Sequence, residues 1–329
     1  MDDIRWFAPN RLCALVVPRL QQLGLAIALD GDRPARLAIA MDAQVAAAAY
    51  AYSARRHSAL IHYVWDLPPW RLGSGRPDWV WYGWGRYWRV PRPGRGYAAR
   101  RGYYSRLRFV ARHAREVWVP SALTAASVLE HFGVPSRQVP FCYDSDRFRP
   151  APAPAPARVP AAPHRDVLLS ISRLIPSKNH EAVIRAAARA EPKLRVRIIG
   201  EGPQRGALVQ LARALGVSCA IESGLSDDAI LAAYRTAGVV VCPSRFEGFG
   251  LTPMEAIACG VPVVVSDIPP HREFLDGAPY FFPLEDEAAL AAAVAAARAG
   301  PPPSPSAVAD LTIAAAAQRF FAALTPLLG

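Results

Sequence analysis

From residue 165 to residue 295 the chain repeats one pattern: a short, largely apolar run, then a longer stretch with helical periodicity, then another apolar run. Val167–Ser172, Leu194–Ile199, Ser218–Glu222, Val239–Cys242 and Val261–Ser266 read as strands. Glu181–Ala190, Gln204–Leu215, Asp227–Ala237 and the short Pro253–Cys259 read as the helices between them. Strands apolar on both faces need cover on both faces, and a parallel sheet wrapped by crossover helices supplies it. The first half repeats the pattern in outline. Ile4–Ala8, Leu25–Leu29, Leu60–Val64 and Val117–Pro120 read as strands, with helices over Asn10–Leu23 and Ala122–Phe132. The expected fold class is α/β.

Two domains are expected. Alternating Pro and Ala from Arg149 to Pro163 remove backbone donors and favour an extended, semi-rigid connector. This divides the chain into a first domain over 1–148, a linker over 149–164, a second domain over 165–307 and a closing helix over 308–329. Charge follows the same division. Residues 1–150 hold 22 basic and 11 acidic side chains, while 151–329 hold 16 of each, so the whole excess of +11 lies in the first half. All eight Trp lie there too. The basic residues are Arg except for Lys178 and Lys193, which makes a retained Lys informative. Five Cys without a CxxC pair argue against a disulfide framework or a zinc site and fit a reducing compartment. Met1-Asp2-Asp3 lacks a basic-then-apolar leader, and no long uncharged apolar run is present, so a cytoplasmic protein is expected.

The most informative segment is Ser244-Arg-Phe-Glu247-Gly248-Phe249-Gly250-Leu-Thr-Pro-Met-Glu255, running on to Gly260-Val-Pro262. It follows an apolar strand and opens a helix near Pro253, a residue favoured in a first turn. Gly248 and Gly250 let the backbone approach a ligand, and a helix N-terminus offers unpaired N–H groups. Two carboxylates at the end of a parallel strand suit chelation of hydroxyl groups. The same residues also suit a glycine loop with a capping Glu. Gly200-Glu201-Gly202-Pro203 follows another strand, but its spacing departs from G-x-G-x-x-G, and the next strand ends without a convincing ribose-binding acid. A dinucleotide cofactor is not expected.

Glu247 and Glu255 resemble the E-x7-E signature of retaining glycosyltransferases of the GT-B fold, family 4 in particular. Ser172-Arg173-Leu-Ile-Pro-Ser-Lys178-Asn179 resembles the family's Arg–Lys pair, Gly200–Pro203 its glycine turn, and Pro262–Asp267 with Glu273 its continuation. Tyr143–Pro150 is similar to its hinge segment. The resemblance implies two Rossmann-like domains facing across a cleft, a nucleotide-sugar donor, and an acceptor that is a glycan or a lipid-linked glycan. It implies that Arg173 and Lys178 hold the donor diphosphate and that Glu247 binds donor-sugar hydroxyls with the N–H groups of Phe249 and Gly250. Glu255 would accept from the ribose, with Gly248 and Gly202 shaping the site. No cofactor and no metal are implied. The segment 247–282 resembles bacterial mannosyltransferases. A degenerate binding or assembly subunit of the same fold is the alternative.

Four expectations concern the first half. Asp66, after Leu60–Val64, is the candidate to face the reacting sugar, whereas His62 within that strand reads as core. Ala8-Pro9-Asn10-Arg11 lacks the glycines usual in the family, leaving Asn10 as a helix cap. Trp70–Arg115 carries 12 Arg among interleaved Trp and Tyr, with Asp78 its one acid. That mixture suits an anionic membrane surface or a lipid-linked pyrophosphate. It equally suits a solvated surface with aromatics packed around an acceptor; nucleic acid is not expected as a partner. Asp144-Ser145-Asp146 reads as a surface turn.

Overall fold

The computed structural model describes residues 2–8, 12–29, 33–67, 79–81, 87–89, 96–150, 164–190, 193–275 and 277–329. The Asn10 cap, most of the Pro/Ala linker and much of 70–95 lie outside the described residues. Packing groups the chain into two units, Met1–Cys142 with Leu311–Gly329, and Tyr143–Asp310.

The first unit contains six parallel strands in the order β2-β1-β3-β4-β7-β8. They are β1 (Asp2–Phe7), β2 (Ile27–Ala28), β3 (Ala35–Ala40), β4 (Ala59–Tyr63), β7 (Glu116–Val119) and β8 (Arg137–Gln138). β5 (Trp79–Trp81) and β6 (Tyr87–Arg89) form a separate antiparallel pair. The helices are α1 (Val17–Gln22), α2 (Ala43–Arg56), α3 (Gly96–His113) and α4 (Ala122–Phe132). The helix expected over 10–23 is shorter than its sequence pattern, because Pro18 is tolerated only in the first turn of α1. β3 and α2 escaped the sequence reading. Five of the six side chains of β3 are buried, and α2 is so rich in Ala that helix propensity is high while apolar contrast is weak. His62 is fully buried within β4, and burial pulls its imidazole down to about 4, as expected for a neutral core residue.

The C-terminal helix α11 (Ile313–Leu328) closes the first unit. Thr312 caps it by accepting from Ala315 N, and Ile313, Ala316, Ala317, Phe320, Ala323 and Leu324 are buried. Residues 305–328 are long and apolar enough to cross a bilayer by length and composition. In this fold their apolar stripe instead packs on protein. Phe320 lies 5.6–5.9 Å, centroid to centroid, from Trp6, Tyr63, Trp118 and Phe141. The polar ends of that cluster are satisfied: Trp6 Nε1 donates to the Cys13 carbonyl, Trp118 Nε1 to Glu116, and the Tyr63 hydroxyl to the Val139 carbonyl. Arg319 donates to the carbonyls of Pro140 and Phe141, tying the helix to the last segment of the unit.

The second unit is a second six-stranded parallel sheet, ordered β11-β10-β9-β12-β13-β14. Its strands are β9 (His164–Ile171), β10 (Arg195–Ile199), β11 (Cys219–Glu222), β12 (Ala237–Cys242), β13 (Val263–Ser266) and β14 (Tyr280–Phe282). Its helices are α5 (His180–Arg189), α6 (Arg205–Ala214), α7 (Asp227–Thr236), α8 (Leu251–Ala258), α9 (Pro269–Leu275) and α10 (Glu287–Ala299). Every residue of β12 and β13 is buried, as their uninterrupted apolar sequence requires. The strand order reverses between β9 and β12. In open α/β sheets a ligand crevice forms outside the carboxyl ends of strands at such a switch point. Residues 143–148, placed with the first half on sequence grounds, pack with this second unit: Phe148 meets Tyr234 edge-on at 5.5 Å.

Candidate functional site

The loops leaving β9 and β12, the two strands that flank the switch point, carry most of the residues singled out in the sequence. After β9 the chain passes Ser172 and Arg173 and makes a 3-10 turn over Pro176–Lys178. Asn179 then adopts a left-handed conformation, φ 55°, and starts α5. His180 Nε2 lies 2.8 Å from Ser172 Oγ and 3.3 Å from the Arg173 carbonyl, stapling the loop to its own helix. Burial lowers this imidazole to about 4, so the staple is neutral.

The glycine turn after β10 supports this loop from beneath. A Cβ on Gly200 would lie 1.9 Å from the Ser172 carbonyl oxygen, and one on Gly202 would lie 2.4 Å from that of Leu174. Both residues have φ near +155°. Their bare backbones let Leu174 N donate to the Glu201 carbonyl at 2.7 Å and Gln204 N to Leu174 at 3.1 Å. Gly202 therefore lets two loops touch.

After β12, Ser244–Gly250 leads into α8. Glu247 comes to rest against Lys178, whose Nζ donates to Glu247 Oε1 at 2.6 Å. Ser244 Oγ donates to the same oxygen at 2.7 Å. The two charged side chains are 15% and 17% exposed, so the pair is largely withdrawn from water. Burial pushes the Glu247 carboxyl up. The charges of Lys178 and His271 and the hydrogen bonds from Lys178 and Ser244 outweigh that effect and hold it below the ordinary carboxylate range. Both donors act on Oε1. Gly248 and Phe249 are buried, and the Phe249 ring meets Phe274 edge-on at 4.7 Å. Gly250, φ 91°, forms the N-cap of α8, and a Cβ there would lie 3.3 Å from the His271 ring.

Glu255 sits in the second turn of α8, half-buried, and accepts from the Tyr234 hydroxyl through Oε2 at 2.8 Å. Its carboxyl is pushed up to about 7, chiefly by burial, with nearby Asp144 adding to the effect while the Tyr234 bond and Arg147 oppose it. Asp144 is therefore more than part of a surface turn: its side chain is 14% exposed and pairs with Arg147, which also pairs with Asp227. Burial raises the Cys242 thiol at the end of β12, and the charges of Glu247, Lys178 and Glu255 also act on it. Arg173 is on the same loop as Lys178, with its side chain exposed. Asp66 lies in the first unit, half-buried, after β4. Among the described residues no group of three or more His, Cys, Asp or Glu is placed to hold a metal ion.

A stability consequence follows from Glu255. Its folded pKa of about 7 lies above the ordinary value of 4.5, so the folded state favours the protonated form. Stability is fully present below pH 4.5 and is lost as pH rises towards 7. Glu255→Gln removes this loss, and at pH 8 the variant is expected to be more stable than the parent by about 1–2 kcal/mol, after discounting for partial solvent contact. Urea denaturation at pH 4.5 and pH 8 checks it; a variant no more stable at pH 8 contradicts it.

Several participants were invisible in the sequence. Tyr234 reaches Glu255 from 21 residues away, and His271 lies beneath Gly250 from another strand's crossover. Only Ser244, three residues before Glu247, had a local signal.

Residues 156–307 match the family model described as glycosyl transferases group 1. The chain is 32% identical over 187 residues to the MMP alpha-(1->4)-mannosyltransferase of Mycolicibacterium hassiacum, covering 55% of this chain and 43% of that protein. It is 34% identical over 171 residues to the GDP-mannose-dependent alpha-(1-6)-phosphatidylinositol monomannoside mannosyltransferase of Mycolicibacterium smegmatis, covering 47% and 42%. The chain thus spans less than half the length of these curated relatives. Among solved structures, Anabaena HepE in complex with UDP and glucose superimposes with a TM-score of 0.67 at 14% identity, covering 99% of this chain and 100% of that one. Sucrose-phosphate synthase from Thermosynechococcus elongatus gives 0.62 at 18% identity, covering 89% and 71%. Two parallel sheets of this topology are the GT-B fold, and residues 156–307 are similar to the glycosyl transferases group 1 family.

Proposed function

We propose that this chain transfers a hexose, mannose by preference, from a nucleotide-sugar donor to an acceptor hydroxyl with retention at the anomeric carbon. The observation that carries the reading is the Lys178–Glu247 pair at the switch point of the second sheet. Lys178 commits one N–H to Glu247 and keeps two for phosphate oxygens. Glu247 keeps Oε2 for sugar hydroxyls, and Glu255 keeps Oε1 for the ribose. Arg173, exposed on the same loop, supplies a second cation for the diphosphate. In this reading the bond from the anomeric carbon to the diphosphate breaks as the acceptor oxygen bonds on the same face. The acceptor proton passes to the departing phosphate oxygen, and Lys178 and Arg173 stabilise the nucleoside diphosphate that leaves. Preorganised charge aimed at a developing anion is the largest single source of such catalysis. The protein itself supplies that charge, so the reaction is proposed to need no metal. The two mannosyltransferases named above support mannose as the sugar.

The acceptor is proposed to be a glycan or lipid-linked glycan held by the first unit, with Asp66 the candidate residue of that unit for the reaction. Arg108 and Arg112, four residues apart, are exposed on α3 beside Phe109, which is 46% exposed. This basic face supports a peripheral position on an anionic inner membrane surface. Proton NMR of the first-formed product tests the reaction: the donor's anomeric configuration is expected, and an inverted product removes the retaining assignment. An enzyme inert towards every nucleotide sugar and acceptor would favour a binding subunit instead.

A further inference from the structure

The Lys178–Glu247 pair joins two loops that leave different strands, and a donor competing for both partners weakens the pair's own attraction. A second tie is present. Arg245, its side chain 18% exposed, donates through Nη1 to the Pro176 carbonyl at 2.8 Å and through Nε to Glu285 Oε1 at 3.0 Å. Its Nη2 lies 3.6 Å from Glu181 Oε1, and its backbone N–H donates to the Ser177 carbonyl at 2.8 Å. One guanidinium therefore gathers the turn that carries Lys178, the start of α5 and the segment before α10 onto the loop that carries Glu247. Of the three described non-glycine residues with positive φ, two border this clamp: Asn179 at 55° and Glu285 at 66°. Uncommon backbone conformations of this kind persist where the surroundings over-determine them. A planar fork spreads five donors over three nitrogens and so reaches acceptors set well apart, whereas the three donors of an ammonium radiate from a single nitrogen.

We propose that Arg245 is a positioning residue that holds Lys178 and Glu247 in register for the donor. The proposal rests on the glycosyl-transfer reading of that pair. It can be tested separately because the chain has only two lysines, Lys178 and Lys193. Protein labelled with carbon-13 at lysine Cε gives two side-chain signals, assigned with Lys178→Arg. In the parent, Glu247→Gln is expected to shift the Lys178 signal; in the Arg245→Ala background the same change is expected to shift it no further. Arg245→Ala should lower kcat at least tenfold with less than a threefold change in donor KM, and Arg245→Lys should not restore it. Should Arg245→Ala fail to fold, the Glu181→Ala, Glu285→Ala double variant removes two of the acceptors, and the same two readouts apply. A folded variant that retains the Lys178 response to Glu247→Gln, or loses it with kcat within twofold of the parent, overturns the proposal. A parent without transferase activity would sink the functional reading, and the lysine signals alone would then decide the role of Arg245.

Discussion

Lys178→Ala is expected to lower turnover by about 10²–10³-fold, the range seen when one preorganised donor to a developing anion is removed. The larger part should fall on kcat, with a smaller loss of donor affinity, because the diphosphate is already charged when bound and its charge grows as the bond to the sugar breaks. The same substitution has a stability signature of opposite sign in pH. In the parent, Glu247 sits below its ordinary pKa. Its contribution is present above pH 4.5 and is lost as pH falls through the depressed value. Without Lys178, burial becomes the dominant influence and raises the carboxyl, so the variant loses stability as pH rises. Leaving one charge of a buried pair uncompensated costs more than removing both. The double variant Lys178→Ala, Glu247→Gln should therefore be more stable at pH 8 than Lys178→Ala alone, while remaining inactive. Chemical denaturation of the four members of the cycle checks this; a Lys178→Ala enzyme with parental kcat removes the lysine from the reaction.

Phe320→Ala is expected to destabilise the first unit by about 3–5 kcal/mol, the usual range for truncating a fully buried aromatic. The ring touches four other aromatic side chains, from β1, β4, β7 and the segment after β8, so little of the vacated space can close. Urea unfolding should show a lowered midpoint with an unchanged slope. A loss below about 1 kcal/mol would mean that α11 is not what closes this unit.

The centre of the second unit was legible in the sequence because β12 and β13 are buried on both faces, whereas β14, α9 and α10 escaped the reading. Lys178 and Glu247 were legible for a related reason: each stands in a turn or loop that follows a recognisable strand, and Glu255 follows Glu247 at a fixed spacing within the next helix. What could not be read was what the fold joins across sequence distance. Arg245 looks like any Arg in a chain rich in them, yet its guanidinium binds Pro176 and Glu285 on two other segments. Tyr234 lies on a helix whose pattern explains its burial and says nothing of its bond to Glu255. In the first half the difficulty was compositional. Ala43–Arg56 is helical, but a helix built largely of Ala shows little periodic contrast. The expected helix before β2 gave way to a proline-limited turn of helix, a local constraint stronger than the apolar pattern.

The account stands on the second unit's switch point being a nucleotide-sugar site. Calorimetric titration of the intact protein with UDP-, GDP-, ADP- and dTDP-sugars tests this most directly, with Lys178→Ala and Glu255→Gln run beside the parent. At least one donor should bind the parent, and each substitution should weaken it at least tenfold, the lysine through the diphosphate and the glutamate through the ribose. A parent that binds none of the four classes, or variants that bind as tightly as the parent, would contradict it.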